Sequence, residues 1–283
     1  MGNLQGATKL AVLVMLATTV VVAADARKEY RFTVGARPTV SISNQYGPVS
    51  VKTTSGNQIV VTATVRSDKV EIDKTQNGNR VDIVSHLLQG ADANSGSVEY
   101  EVLLPADSCV TLQSTNGPLS AEGLRGDLNV EGANAKVDVK DVSGAHVHVN
   151  TLTGAVTLTN IQNGHVEITS VGGAVVLHAV NGPLVHVSSS SGAIQYDGDF
   201  GAGGDYALTS HTGNIEATAP STASIDVSAR SMRGQVENDF PLEPKPHTSF
   251  LVNKCCAFVG TAGLAASKVV LHSISGKIRL KSR

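Results

Sequence analysis

The chain has 283 residues, a formal net charge of −2, 16% charged residues, 4% aromatic residues and no tryptophan. So balanced a charge excludes a broad basic surface for nucleic acid. A composition led by Gly, Val, Ser and Thr argues for strands joined by tight turns rather than for helices.

The first element is an apolar run. Lys9 precedes LAVLVMLATTVVVA (10–23), and Ala24-Asp25-Ala26 places small residues where a signal peptidase cuts. As a helix, that run spans about 21 Å, short of a hydrocarbon core of roughly 30 Å. Residues 1–26 are therefore read as a secretory signal peptide cleaved after Ala26. The mature chain is expected to be exported to the periplasm, cell surface or exterior, with no membrane span. Residues 27–115 follow, with long, uneven alternating runs: TVSIS, PVSVKT, QIVVTATV, RVDIVS and VEYEVLLP. They predict an irregular β N-terminal part, either looser early coils or a distinct β cap, and some capping is required because the end of a strand stack exposes unpaired backbone groups.

From residue 116 the chain repeats. HVHVNTLTG (146–154) returns nineteen residues later as HVEITSVGG (165–173), and glycines recur at 117, 126, 144, 154, 164, 173, 182 and 192. Alternating runs between turn glycines are strands, and equal periods of this size indicate stacked coils. Steps of nineteen align Leu128, Val147, Val166 and Val185, then Val130, Val149, Ile168 and Val187. On the opposite strand they align Val156, Val175 and Ile194, then Leu158, Leu177 and Tyr196. Val142, Ile161 and Val180 form a corner column. The predicted fold class is all-β: a right-handed parallel β-solenoid over 116–283, with 19–21 residues and two strands per coil. Ile215 and Val236 continue the Val156 column at steps of 21, and Ile278 follows 42 later, as two longer coils would place it. Three prolines in FPLEPKPHTSFLVNKCC (240–256) exclude a central strand there, so 239–267 is expected to leave the stack.

This layout resembles the bacterial β-strand-repeat family of candidate adhesins and is similar to the head-domain family of candidate autotransporter adhesins. The resemblance covers nearly the whole mature chain. It rests on the export signal followed by F-T-V and N-Q-Y-G-P-V-S-V, on V-E-Y-E-V-L-L-P leading into S-T-N-G-P-L-S-A, and on T-G-x-I/V/L-x runs ending in S-I-S-G-K-I-R-L. It implies a solenoid that binds a surface or envelope ligand, and it carries no catalytic residues over.

Between the inward columns lie outward ones. Asn129, His148, Glu167 and His186 stand nineteen apart, as do Asp127, His146, His165 and Leu184. Adjacent strands lie about 4.8 Å apart, so His146, His148, His165, Glu167 and His186 should share one patch. Imidazoles with a carboxylate suit a transition ion, with His146 and His165 the easier pair and Glu167 assisting; the same residues could equally make a pH-sensitive surface or an ordinary solvated face. Asp197, Asp199 and Asp205 in YDGDFGAGGDY (196–206) offer hard oxygen ligands for Ca²⁺, or simply a turn. No cofactor is otherwise expected. Three cysteines leave several pairings open: Cys109 bridged to Cys255 or Cys256, a bridge between the neighbours, or free thiols. A bridge from Cys109 would pin the excursion to the stack. The functional expectation is a non-enzymatic, adhesin-like or envelope-structural protein. A carbohydrate-active β-helix lyase or hydrolase is the alternative, which would need clustered carboxylates in a groove.

Overall fold

A computed structural model describes residues 26–243, 245 and 256–283, and all regular structure among them is β. The signal peptide expected up to Ala26 thus lies outside the described residues except for Ala26 itself, which opens the first strand opposite Val65. Pro244 and residues 246–255 of the expected excursion also lie outside them.

The N-terminal strands are β1 (Ala26–Thr33), β2 (Thr39–Tyr46), β3 (Val49–Thr54), β4 (Gln58–Val65), β5 (Val70–Asn77), β6 (Arg80–Leu87) and β7 (Val98–Pro105). The repetitive region supplies β8 (Cys109–Asn116), β9 (Leu119–Glu122), β10 (Leu128–Gly132), β11 (Val137–Ser143), β12 (His146–Thr151) and β13 (Val156–Gln162). It continues as β14 (His165–Ser170), β15 (Val175–Val180), β16 (Leu184–Ser189), β17 (Ile194–Asp197), β18 (Asp205–Ser210) and β19 (Ile215–Ala219). The last strands are β20 (Ile225–Ser231), β21 (Val236–Asn238), β22 (Ala257–Ala262), β23 (Ser267–Ser273) and β24 (Ile278–Ser282).

These form two sheets of 12 strands among the described residues, and each coil gives one strand to each sheet. The predicted columns are real. Leu128, Val147, Val166 and Val185 pair in succession across parallel strands, and Val156, Val175 and Ile194 do the same in the other sheet. All of these side chains are buried, so the alternation of each short run becomes one continuous core between the sheets.

The turn between the two strands of a coil has its own code. A buried Ser or Thr closes the strand, and three residues later a glycine opens the next: Thr151 with Gly154, Ser170 with Gly173, Ser210 with Gly213, Ser231 with Gly234, Ser273 with Gly276. The Ser210 hydroxyl accepts the Gly213 N–H at 2.9 Å, and the Ser170 hydroxyl donates to the Gly173 carbonyl at 2.8 Å. The hydroxyl thus satisfies turn groups that the ladders leave over. Glycine is required because the coils touch there: a β-carbon on Gly192 would lie 2.0 Å from the Gly173 carbonyl oxygen. One coil departs from the code twice. Gly132 stands where the hydroxyl residue belongs and Ala135 where the glycine belongs, and a β-carbon on Gly132 would lie 3.0 Å from that of Ala135. The opposite corner takes left-handed residues in register, Asp141, Asn160 and Ala179, with φ of 54°, 55° and 51°. Asn160 Nδ2 donates to Asp141 Oδ1 along that column.

The order of the coils corrects the expected register at the C-terminus. Ile278 pairs with Ile215, and Val236 pairs with Ile278, so the last coil (β23–β24) lies between β18–β19 and β20–β21. Equal residue types in one column cannot reveal that insertion, because every inward position asks for the same apolar side chain. The excursion returns through β22, which runs antiparallel beside β20 rather than leaving the stack altogether. The N-terminal end does the same in reverse. The coil β2–β3 stacks directly on β8–β9 in parallel register, so regular stacking begins near Thr39, earlier than residue 116. The segment between them folds outward as the cap, with antiparallel pairs β4–β7, β1–β4 and β5–β6. The N-terminal end thus finishes in antiparallel strands in both sheets, and the C-terminal end in one of them through β22, while β21 closes the other in parallel. The N-terminal edges β1 and β5 are largely exposed and carry charged residues, a pattern that discourages edge-to-edge aggregation.

Candidate functional site

The outward face of the sheet containing β12 and β14 carries the predicted patch, because alternate residues of a buried-face strand must point to solvent. His146 pairs in register with His165, His148 with Glu167, and Glu167 with His186. The structure divides these five residues into two groups. The His146 and His165 rings face each other, centroids 4.5 Å apart and tilted by 35°. In the next column, His148 Nδ1 lies 3.5 Å from Glu167 Oε2, while His186 Nε2 lies 3.8 Å from Asp205 Oδ1. Glu167 therefore partners His148, which corrects the expectation that it assists His146 and His165. His148, Glu167 and His186 still line one shallow depression of about 330 Å³. Among the described residues, no group of three or more His, Cys, Asp or Glu side chains is gathered to hold a metal ion.

The aspartates of 196–206 are not gathered either. Asp197 sits on β17 in one sheet, bonded to Arg283 Nη1 at 2.5 Å; Asp205 opens β18 in the other sheet and accepts from Lys268 Nζ at 3.0 Å. The loop between them is organised by apolar packing. Phe200 is buried and stacks on Tyr196 with centroids 4.4 Å apart, and both contact Tyr206 edge-on. Tyr196 accepts the Phe200 N–H and donates to the Val180 carbonyl. Burial pushes both tyrosine hydroxyls above the usual phenol range.

Cys109 is a free, half-buried thiol, whereas Cys256 is disulfide-bonded; Cys255 lies outside the described residues. Of the pairings left open by the sequence, a bridge from Cys109 to the excursion is therefore not formed. Cys109 instead lies in the same outward column as the histidine pair, beside Asp127 and His146 in a depression of about 170 Å³. Asp127 Oδ1 accepts the His146 backbone N–H at 3.0 Å.

A further groove was not foreseen. It has a volume of about 700 Å³ and crosses β2, β8, β10, β12 and β14 where their last outward residues meet the Ser/Thr-x-x-Gly turns. One wall is polar, with Gln113, Glu131 and Asn150, and the other is apolar, with Leu152 and Val171 exposed by 54% and 46%. Gln113 Nε2 donates to Glu131 Oε2 at 3.0 Å, which ties neighbouring coils together along the polar wall. The signal was present: carrying the repeat step to the third outward column aligns Gln113, Glu131, Asn150 and Thr169.

Fold and surface together define a β-solenoid with an antiparallel cap at its N-terminal end, an antiparallel edge strand at its C-terminal end, and largely polar columns on the outer face of the β12–β14 sheet. The chain belongs to the Toastrack DUF4097 family, whose profile matches residues 39–281. Solved structures similar to it include a candidate cell adhesion protein from Clostridium sporogenes, at 14% identity and TM-score 0.32, with 91% of this chain and 100% of that chain covered. A candidate adhesin from Bacteroides fragilis gives 9% identity and TM-score 0.47, covering 92% and 98% of the two chains. One from Parabacteroides merdae gives 10% and 0.44, covering 91% and 96%. No curated protein matches the chain. No helix of the described residues is long and apolar enough to cross a membrane.

Proposed function

We propose that this protein is an exported, non-enzymatic, adhesin-like binding protein of the bacterial cell envelope, and that an extended envelope ligand lies along the axis of its stack. The groove over β2, β8, β10, β12 and β14 carries this reading. It runs across consecutive coils, so a ligand in it meets amide and carboxylate groups on one side and Leu152 and Val171 on the other. That combination suits an amphipathic polymer: the polar wall fixes orientation while the apolar wall supplies burial. The stack itself gives a rigid, flat support, as solenoids do. Export follows from the leader reading of residues 1–26, and the compartment is the periplasm, the surface or the exterior.

Within the groove lining, Glu131 is the single carboxylate, and it is engaged by Gln113 and Asn129. Glycoside hydrolysis uses two carboxylates about 5–9.5 Å apart, so the groove favours holding a ligand over cutting it. The test is binding to purified envelope polysaccharides on a sensor surface, with product release assayed in parallel. Retention that falls at least tenfold in Leu152→Asp and in Gln113→Ala/Asn150→Ala supports the reading. Defined turnover of any polysaccharide replaces it with the lyase or hydrolase alternative.

A further inference from the structure

We propose that His146 and His165 form a surface site for a divalent transition-metal ion, with Cu²⁺ preferred, independent of the groove and of any ligand bound there. The distribution of partners makes the pair stand out. His86, His148, His178 and His186 each have a carboxylate within 4.0 Å, at Asp73, Glu167, Asp197 and Asp205. The His146, His165, His211 and His272 rings have no side-chain hydrogen bond or ion pair among the described residues, and of these four it is His146 and His165 that meet, ring against ring. Both are exposed, and both are held in parallel register by strands whose inward neighbours, Val147 and Val166, are fully packed. The backbone under the two rings is therefore fixed before any ion arrives, which lowers the ordering cost of binding.

The ring centres stand 4.5 Å apart, close enough for one ion to reach a nitrogen of each after side-chain rotation. Imidazole suits Cu²⁺, Ni²⁺ and Zn²⁺, and Cu²⁺ leads the general affinity order for divalent ions. Asp127, already bonded to the His146 N–H, is the nearest carboxylate in the column and the residue placed to balance the ion's charge. On the far side the column continues to Leu184, which offers no ligand atom. Water must fill the remaining positions, so the site is open and exchangeable rather than a closed structural centre.

The free thiol of Cys109 lies in the same column and would both bind and reduce Cu²⁺, so the experiment uses the full chain without an affinity tag in a Cys109→Ser background. Titration calorimetry with Cu²⁺, Ni²⁺ and Zn²⁺ at neutral pH should give the highest affinity for Cu²⁺. The Cu²⁺ complex should show electron-paramagnetic hyperfine structure from two nitrogens. His146→Ala and His165→Ala should each weaken Cu²⁺ binding at least tenfold, with folding checked by circular dichroism. His148→Ala and Glu167→Gln should leave it unchanged. Binding that survives both of the first pair, binding lost in His148→Ala, or no binding at millimolar Cu²⁺ overturns the proposal.

Discussion

The carbonyl oxygen of Gly154 occupies the space that a β-carbon on Gly173 would need, only 1.9 Å away. The same contact recurs from coil to coil, at Gly192 on Gly173, Gly213 on Gly192 and Gly276 on Gly213. These glycines are conserved within the chain by contact between coils, not by turn conformation. Gly173→Ala must push two coils apart and is expected to cost about 2–3 kcal/mol by urea denaturation. Gly144 is the contrast: its φ is +63° and a β-carbon there meets nothing within 4 Å. Gly144→Ala should cost only about 1 kcal/mol of backbone strain. Gly144→Asn should be nearly neutral, because Asn163, nineteen residues on, already adopts φ 52°.

Much of this was legible in the sequence, and the limits have physical causes. Columns such as Leu128, Val147, Val166 and Val185 follow from periodicity alone, since period two fixes the face and the coil length fixes the partner. The shared outward position of His148 and Glu167 follows the same way. The placement of β23–β24 inside the stack does not, because an inserted coil satisfies the same apolar columns as a consecutive one. Nor does the division of the histidine patch: which carboxylate a surface imidazole meets depends on rotamers, and sequence spacing carries only Cα positions. The early coil β2–β3 was hidden because the cap strands between it and β8 break the nineteen-residue rhythm.

Gly132 and Ala135 exchange the roles that Ser170 and Gly173 play two coils on, and the methyl group of Ala135 fills the space left by the missing hydroxyl. Gly132→Ser alone overfills that space and should destabilise by about 1–3 kcal/mol. Ala135→Gly alone removes a buried methyl and frees the unfolded chain, costing about 1 kcal/mol. The double variant recreates the usual turn. A thermodynamic cycle should return a favourable coupling of about 1 kcal/mol or more; strict additivity would show that the two substitutions are unrelated.

Val166 and Glu167 are neighbours with opposite fates, one fully buried and the other exposed. Val166→Asp places an unpaired charge between the sheets and should cost several kcal/mol, roughly, enough to abolish folding. Glu167→Gln removes one side of a solvent-exposed ion pair with His148, with side chains 56% and 44% accessible, and should change stability by less than about 1 kcal/mol. Circular dichroism melts of the two variants would separate core from face directly.

Tyr100 is fully buried and its hydroxyl shares a 2.7 Å hydrogen bond with Ser85. Burial raises its pKa from 10.0 to about 12. The unfolded chain therefore releases this proton near pH 10 while the folded chain retains it, so the unfolded state binds fewer protons across that interval. The stabilisation is fully present below pH 10 and is lost as pH rises toward 12, amounting to about 3 kcal/mol for this group. Tyr196 and Tyr206, also raised by burial, add to it in the same direction. Phenolate absorbance should rise late and together with the loss of strand circular dichroism. Ionisation of all five tyrosines near pH 10 with the fold intact would contradict the burial.

Because β23 and β24 lie between two other coils, the C-terminus is an internal element of the stack, and Arg283 reaches back to Asp197 while its N–H donates to the Ala219 carbonyl. Ending the chain at Gly263 would strip β18 and β19 of their outer partners and leave β20 with only β22. Hydrogen exchange should then show lost protection across β18–β21, including Tyr206 and Ile215, while β10–β14 keep theirs. Removing residues 26–33, an exposed edge strand, should leave β8–β19 protected as before. Had the coils stacked in plain chain order, the C-terminal truncation would behave like the N-terminal one and fray only its own end. Equal protection of β18 and β19 in the full and shortened chains would therefore refute the inserted order.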